Sequence, residues 1–214
     1  SSLTSFGEYV FYDSLSIERL NVPASVISIG EKAFYENSFS RVTFAVGSQL
    51  SVIGEYAFAK SQNLQSIRLY ENIAEIKKGA FSDCNELRWL IIETSSPPLL
   101  HNTSTKIWED NLRIYVPQNS LSQYKSAWQS YAAGISSYDL IFTDYSIIPV
   151  SSGIEIFQYM VDETDIVVPD TINNQPVVSI GSFAFGKEAH SVQLPDSVVT
   201  IKSSAFYRSK ITSF

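Results

Sequence analysis

Short segments in which apolar and polar residues alternate recur along the chain at nearly regular intervals. Alternation with a period of two is typical of a strand that has one face in the core and the other in solvent. The pattern predicts one half-buried strand in each copy. These strands are expected at Leu20-Asn21-Val22, Val42-Thr43-Phe44, Ile67-Arg68-Leu69, Leu90-Ile91-Ile92 and Val192-Gln193-Leu194.

A hexapeptide that ends in Ala-Phe precedes each predicted strand, as in Ile-Gly-Glu-Lys-Ala-Phe at residues 29–34. The copies end at Phe34, Phe58, Phe81, Phe185 and Phe206, with a degenerate copy ending at Phe11. The period lies in the range of about 20–29 residues that is typical of leucine-rich repeats. We predict a repeat solenoid with a parallel β-sheet, one strand per coil and mostly irregular or 3-10 returns. The repeated phenylalanine rings should be buried and stacked within each array.

The repeat is interrupted between residues 93 and 138. Residues 112–117 predict one more strand, and Leu121, Tyr124, Trp128 and Tyr131 follow at helical spacing. Ser120 is a candidate N-cap and Gly134 a candidate stop, so we predict one capping α-helix near residues 120–132. Its aromatic rings would cover the bare core at a solenoid end. Residues 1–137 are therefore predicted to be one array that ends in a capping segment.

Residues 138–214 are predicted to be the start of a second array. Segments 142–145 and 153–159 predict a β-hairpin or paired strands, and Asp165-Ile166-Val167-Val168-Pro169 returns to the repeat. The chain stops at Lys210-Ile211-Thr212-Ser213-Phe214, where a further strand is expected. We therefore expect this array to be truncated at its end and the parent protein to be longer.

The best-preserved copy, Val22-Pro23 through Phe34, reads Val-Pro-x-x-Val-x-x-Ile-Gly-x-x-Ala-Phe. It resembles the BspA-like leucine-rich repeats of bacterial and some protist surface proteins. The Tyr-Val-Pro at residues 115–117 and the Tyr-Lys-x-x-Trp at residues 124–128 resemble the terminator of that family. The resemblance implies an extracellular or cell-surface location. It also implies attachment to matrix and plasma proteins such as fibronectin and fibrinogen.

Composition excludes several classes of protein. With 44% hydrophobic and 17% charged residues, the chain is too apolar to be disordered. The formal net charge of −7 argues against nucleic-acid binding, which requires clustered Lys and Arg. No apolar run approaches the about 20 residues of a membrane-spanning helix, so we expect no transmembrane segment in this fragment. We also expect a monomer.

Candidate catalytic and metal-binding residues are few. His101 and His190 are the two histidines, and neither has a partner at metal-ligand spacing. Cys84 is the single cysteine and occupies the repeat position of Asn37 and Ser61, which favours a buried structural thiol. The alternative is a nucleophile with His101 as its base. The acidic run at residues 162–165 is compatible with Ca²⁺ but lacks EF-hand spacing, so a solvated loop is preferred. We predict no enzyme activity, cofactor or metal.

The outward positions of the strands form two columns on the predicted sheet. Arg, Trp and Tyr are enriched at binding hot spots, and sheet surfaces of repeat proteins commonly bind partners. The candidate binding residues are Arg19, Arg41, Arg68, Trp89, Ile91 and Tyr115. In the alternative interpretation, Trp89 packs under the capping segment and the arginines only keep the face soluble.

Two functions remain open. The first is a surface-exposed, adhesin-like interaction module that binds host extracellular-matrix proteins or glycans through the sheet face. The second is a structural spacer or stalk of a longer surface protein with no ligand of its own. The repeats establish a large surface, but a fold does not determine a function.

Overall fold

The computed structural model describes residues 2–17, 19–39, 41–101, 112–138, 140–141, 145–159, 164–182, 184–185, 189–207 and 209–213. The chain divides into two compact units, Ser1–Ser137 and Tyr138–Phe214. Each unit has its own cluster of buried apolar side chains. They are therefore described separately.

The first unit is a stack of coils in which short and long strands alternate along the chain. The strands are β1 (Ser5–Phe6), β2 (Arg19–Val22), β3 (Ser28–Ile29), β4 (Arg41–Phe44), β5 (Val52–Ile53), β6 (Ser66–Leu69), β7 (Glu75–Ile76), β8 (Trp89–Ile92), β9 (Leu99–Leu100), β10 (Arg113–Pro117) and β11 (Ile135–Tyr138).

The long strands pair in parallel as predicted, in two groups, β2-β4 and β6-β8-β10, and β11 pairs with β10 at the edge of the second group. Strand β2 pairs with β4, and β6, β8 and β10 pair in the same direction further along the chain. The register is exact from coil to coil, with Arg19 opposite Arg41 and Ile67 opposite Leu90. Val42 and Phe44 are buried while Arg41 and Thr43 are more exposed, so the alternation of the sequence is the alternation of the two sheet faces. The solenoid prediction is confirmed.

Each coil also contains a second strand that the alternation does not predict. These two-residue strands form a parallel sheet in the order β1-β3-β5-β7-β9. Their length is too short for a period-two signal, but the Ile-Gly of the repeat marks them. A Cβ atom added at Gly54 would lie 2.5 Å from the carbonyl carbon of Gly30, and one at Gly30 would lie 2.7 Å from that of Gly7. Glycine is therefore needed where successive backbones approach closely.

The phenylalanine column between the two sheets is confirmed. The rings of Phe34, Phe58 and Phe81 are 0–1% exposed. Phe34 stacks on Phe58 with ring centroids 5.3 Å apart, and Phe58 stacks on Phe81 at 5.5 Å. Ala33, Ala57 and Ala80 are fully buried beside them, because a small residue there lets the turn lie close to the core.

The first unit ends in a capping segment that consists of three consecutive short helices. Gln118–Ser120 is a 3-10 helix, α1 spans Leu121–Ala127, and a second 3-10 helix spans Gln129–Gly134. The predicted helix is confirmed but shorter than expected, because Trp128 leaves the α-helical region with φ −114° and ψ 53°. Ser120 stands at the N-cap without a capping bond and donates instead to Asn119.

A side chain of the capping segment donates a hydrogen bond to the last short-strand coil, at a backbone carbonyl to which the next coil donates elsewhere in the stack. Within the short-strand sheet, the Ser51 N–H donates to the Ile27 carbonyl at 2.8 Å, and the Ala74 N–H donates to Ser51 at 2.9 Å. Pro98 is the equivalent residue before β9, and its carbonyl accepts a hydrogen bond of 3.1 Å from the indole Nε1 of Trp128. The cap thus satisfies a backbone acceptor that would otherwise be buried without a partner.

The second unit begins with an antiparallel hairpin and continues as coils. Its elements are β12 (Leu140–Ile141), β13 (Tyr145–Val150), β14 (Gly153–Tyr159), β15 (Asp165–Val167), β16 (Thr171–Ile172), β17 (Gln175–Ile180), β18 (Ser191–Gln193) and β19 (Thr200–Ile201).

The hairpin provides the first layer of the second unit. Strands β13 and β14 pair antiparallel, and β14, β17 and β19 then pair in parallel. Residues 142–144, which were expected in the first hairpin strand, lie outside the described residues; that strand runs from Tyr145 to Val150. Phe185 is 1% exposed and stacks on Phe206 at 5.2 Å. Phe206 itself is only partly buried.

Candidate functional site

One accessible surface of the long strands lies on β2 and β4. We define the sheet patch as Arg19, Asn21, Arg41 and Thr43. Arg19 and Asn21 are exposed, and Arg41 and Thr43 are half-buried. Arg19 lies directly opposite Arg41, and the Thr43 hydroxyl donates to Asn21 Oδ1 at 2.5 Å. The patch therefore carries two arginines on neighbouring strands, whose backbones lie about 4.8 Å apart.

Arg68 has a different environment from the other two predicted arginines. Its guanidinium contacts the Glu93 carboxylate through Nε and Nη2 and lies 5.0 Å from the Tyr70 ring centroid. Only 13% of its side chain is exposed. Burial raises the pKa of Glu93 above its ordinary value, and the positive charge of Arg68 opposes this. Arg68 is held within the sheet by these two neighbours.

Two of the predicted outward residues do not face solvent. Trp89 is 7% exposed and Ile91 is 0% exposed, so the expectation of open side chains at these positions is wrong. All four residues of β8 are buried. Because Trp89, Leu90, Ile91 and Ile92 are all large and apolar, alternation cannot distinguish the two faces of this strand. In register, Ile91 lies between Arg68 and Tyr115.

Tyr115 lies on β10 and is partly exposed. Its Cα is paired with that of Ile91, two strands from Arg68 in the same column. The structure therefore places Arg19 and Arg41 together in the sheet patch. Arg68 and Tyr115 lie in the separate sheet formed by β6, β8, β10 and β11, on either side of buried Ile91.

A second surface, which the sequence analysis did not identify, lies on the turns that carry the Ala-Phe hexapeptides. We define the tyrosine–lysine ladder as Tyr9, Tyr12, Lys32, Tyr35, Tyr56, Lys60 and Lys78. Lys32 Nζ lies 5.3 Å from the Tyr9 ring centroid and 5.9 Å from that of Tyr56. Lys60 Nζ lies 5.2 Å from the Tyr35 ring, which stacks on Tyr12 at 5.0 Å. These tyrosines and lysines occupy the positions that vary between copies of the hexapeptide and the two positions that follow it.

Four of the seven residues of the ladder have a left-handed backbone conformation. The non-glycine residues of the first unit with positive φ are Tyr9, Asp13, Lys32, Glu36, Tyr56, Lys60 and Asp83 among the described residues. This conformation costs an ordinary residue about 1–2 kcal/mol. Gly79 occupies the same repeat position as Tyr9, Lys32 and Tyr56 with φ 61°. The fold therefore accepts glycine there, and the side chains of the ladder are not required by the turn itself.

Two of the three lysines of the ladder, Lys32 and Lys60, each lie beside a carboxylate. Lys32 lies 3.6 Å from the Glu31 carboxylate, and Lys60 lies 3.8 Å from that of Glu36. A hydrogen bond to the Tyr9 hydroxyl raises the pKa of Lys32, and one to Tyr35 raises the pKa of Lys60. Both ammonium groups hence remain protonated across the physiological range.

The residues considered for catalysis have structural environments. Cys84 is 1% exposed and donates from Sγ to the Phe58 carbonyl at 3.1 Å, as expected for a structural thiol. His101 contacts the Glu75 carboxylate, and the backbone of His190 donates to the Thr164 carbonyl at 2.7 Å. Of the acidic run 162–165, residues 162 and 163 lie outside the described part. Among the residues that the structure describes, no group of three or more His, Cys, Asp or Glu side chains is placed to hold a metal ion.

In the second unit, a buried carboxylate is paired with a lysine that is itself about half exposed. Glu155 is 3% exposed and accepts hydrogen bonds from Ser179 at 2.8 Å and from Lys202 at 2.9 Å. A buried carboxylate without such partners would be strongly destabilising. This cluster joins β14, β17 and the end of β19, so it supports the sheet. Among the described residues, no helix is long and apolar enough to cross a membrane.

These features define the class of the protein: a leucine-rich-repeat solenoid with a phenylalanine core column. The chain matches the family model described as the BspA type leucine rich repeat region, in six copies over residues 1–102 and 152–214. The chain therefore belongs to the BspA-type leucine-rich repeat family. No curated protein matches it.

Three solved structures are similar to the chain. The pneumococcal vaccine antigen PcpA has 18% identity and a TM-score of 0.36, over 96% of this chain and 54% of its own. A leucine-rich repeat protein from Eubacterium ventriosum has 17% identity and a TM-score of 0.36, over 100% and 54%. A leucine-rich cell surface protein from Faecalibacterium prausnitzii has 20% identity and a TM-score of 0.34, over 99% and 64%. The chain spans between half and two thirds of the length of these proteins.

Proposed function

We propose that the chain is a surface-exposed, adhesin-like interaction module that binds a host extracellular-matrix protein through the sheet patch. Its site is non-catalytic and requires no cofactor. The observation that carries the proposal is the register of Arg19 against Arg41 on an accessible part of the sheet. Membership in the BspA-type family supports the surface location.

The two arginines of the sheet patch lie opposite each other on neighbouring strands. A protein segment that brings carboxylates to this face can form charge-assisted, bidentate hydrogen bonds with guanidinium groups. The patch therefore favours an acidic segment of a protein partner.

Direct binding tests the proposal. Fibronectin, fibrinogen, laminin and collagen are immobilised separately, and the full chain is passed over each at physiological salt. We expect saturable binding to at least one of them that weakens as salt is raised, because exposed charge pairs are screened.

The spacer interpretation gives a different result. A stalk holds another domain away from a surface and has no ligand of its own. If the folded chain binds none of the four proteins above the level of a bovine albumin surface, the interaction-module proposal is wrong and the spacer interpretation replaces it.

A further inference from the structure

A groove in the first unit lies between the last short strand and the end of the capping segment. We define the β9 groove by its two walls, residues 97–100, which include β9, and residues 126–131. Its volume is about 450 Å³, and ligand sites commonly have volumes of about 300–1,000 Å³. Both walls lie well inside the chain, far from its first and last residues. The groove is therefore large enough to hold a short segment of a partner.

The backbone of β9 directs one residue toward this groove. The Leu99 N–H donates to the Ala74 carbonyl of the preceding coil at 2.8 Å. The His101 N–H donates to the Ile76 carbonyl of that coil at 3.2 Å. Backbone groups of successive residues in a strand point to opposite sides. The N–H and C=O groups of Leu100 therefore point away from β7, to the open edge of the sheet.

The capping segment leaves this edge residue without a partner. In an inner coil, the Ile53 carbonyl has the same repeat position as that of Leu100 and accepts from the Lys77 N–H of the next coil at 2.9 Å. Among the described residues, none donates to the Leu100 carbonyl. The hydrogen bond from Trp128 satisfies the Pro98 carbonyl, two residues earlier. The edge thus retains a donor and an acceptor that an added strand can pair with.

The side chains of the groove are uncharged. None of its ten lining residues carries a charge at neutral pH. Prolines and leucines form one wall, and the other carries the rings of Trp128 and Tyr131 beside the neutral polar groups of Ser126, Gln129 and Ser130. A charged group buried here would find no opposite charge and would be costly to desolvate. Charge complementarity therefore favours an uncharged, largely apolar partner.

We propose that the β9 groove binds an uncharged, extended peptide segment of a partner protein, which pairs with β9 as an added strand. The main chain of the segment accepts from the Leu100 N–H and donates to the Leu100 carbonyl. Alternate side chains of the segment enter the groove beside Tyr131. Pro98 has no N–H and its carbonyl is already bonded, so the pairing does not extend in that direction. The site is therefore short and separate from the sheet patch.

Titration calorimetry on the full chain tests this proposal. The probes are acetylated and amidated heptapeptides in which threonine alternates with Val, Ile, Leu, Phe or Tyr. Peptides in which threonine alternates with Glu or Lys are the charged comparisons. We expect at least one neutral probe to bind with a Kd of about 1 mM or lower. The charged comparisons should bind at least about tenfold more weakly, because the groove offers no opposite charge.

N-methylation of the tightest neutral probe distinguishes strand pairing from apolar adsorption. Successive N–H groups of an extended peptide point to opposite sides, so one alternate set faces Leu100 and the other faces away. Methylation of one set should weaken binding by about tenfold, because the hydrogen bond to the Leu100 carbonyl is lost and this acceptor is left buried. Methylation of the other set should leave the affinity nearly unchanged. This comparison uses the unaltered protein, so it does not depend on the folding of a variant.

Two charge substitutions locate the site on the protein. Leu99→Lys combined with Ser130→Lys places an ammonium group on each wall, at positions that are exposed in the parent. This variant should bind the neutral probe about tenfold more weakly or worse, because the bound segment would desolvate both charges. The matched control is Val46→Lys combined with Ser122→Lys, which adds the same charge at exposed positions outside the groove. The control should bind the probe as the parent does.

Arg19→Ala combined with Arg41→Ala should also bind the probe as the parent does, so failure of the sheet-patch proposal leaves this one standing. The groove proposal is wrong if no neutral probe binds at about 2 mM, or if the folded lysine variant binds as tightly as the parent. It is also wrong if the two methylated probes bind equally well, or if a charged comparison matches the neutral probes. Dimers that the lysine variant abolishes, without peptide binding, would show that a second copy of the chain occupies the groove instead.

Discussion

The ring of Phe58 lies between those of Phe34 and Phe81, so its side chain has aromatic neighbours in both adjacent coils. The repeat supplies such a ring at every coil, and burial of each one removes about 150–250 Å² of aromatic surface from water. The column therefore contributes to the stability of the unit as a chain of nearest-neighbour contacts.

Replacement of a central ring should be strongly destabilising. We expect Phe58→Ala to lower the free energy of unfolding by about 3–5 kcal/mol, because it removes the apolar contacts and leaves a cavity. Phe206→Ala should cost less, since the Phe206 ring is only partly buried. Urea titration followed by circular dichroism measures both. Equal losses from the two variants would contradict the stacked-core description.

The thiol of Cys84 has a hydrogen-bonding role that can be separated from its size. Cys84→Ser keeps a donor for the Phe58 carbonyl and should change the free energy of unfolding by less than about 1 kcal/mol. Cys84→Val is of similar size but removes this donor, while the Phe58 carbonyl keeps its hydrogen bond of 3.2 Å from the Ser61 N–H, so the loss should be about 0.5–1.5 kcal/mol, the net value of one hydrogen bond. In the native chain the thiol should also resist Ellman's reagent until urea unfolds the protein. Rapid reaction of the folded chain would show that the thiol is accessible.

Glu93 should make stability depend on pH in an unusual direction for a carboxylate in contact with an arginine. Its pKa is raised in the folded state, mainly by burial, so in the interval above the ordinary value of about 4.3 the folded state holds more protons than the unfolded state. The contribution of Glu93 is therefore fully present below that interval and is lost as pH rises through it. Unfolding measured from about pH 3 to pH 7 should show the parent losing stability relative to Glu93→Gln. A relative gain would mean that the attraction to Arg68 dominates.

At the scale of the elements, the sequence predicted those with a period-two or helical pattern and missed the two-residue strands, which are too short to carry one. The strands beginning at Arg41 and Ser66 and the helix at Leu121 follow from periodicity, because one face of each is buried. The prediction of an exposed column is wrong at Trp89, because all four residues of its strand are apolar and the alternation does not distinguish the two faces. The tyrosine–lysine ladder was missed because its residues vary from coil to coil and meet only after the coils stack.

The capping segment makes a specific prediction at this scale. Trp128→Phe keeps most of the apolar contact but removes the donor to the Pro98 carbonyl. We expect a loss of about 1–3 kcal/mol in the free energy of unfolding, the cost of a buried acceptor without a partner. Lys125→Ala, an exposed position on the same helix, should change it by less than about 0.5 kcal/mol. Equal effects of the two variants would mean that the indole N–H has no part in capping.

At the scale of the whole molecule, the contacts that stabilise the fold differ from the surfaces proposed to bind a partner. The core column and the paired strands hold the coils together. The sheet patch lies on side chains that the coils do not require. A change confined to the sheet patch should therefore alter binding without altering the fold, as is common for interaction surfaces carried on repeat scaffolds.

The measurement that tests the central claim most directly is the affinity of Arg19→Ala combined with Arg41→Ala for the matrix protein that the parent binds. The matched control is Arg88→Ala combined with Lys125→Ala, which removes the same charge outside the patch. The first variant should bind at least about tenfold more weakly, since a hot-spot residue contributes about 2 kcal/mol or more. The control variant should bind as the parent does, and both far-UV spectra should resemble that of the parent. Equal affinity of the patch variant and the parent would contradict binding through the sheet patch.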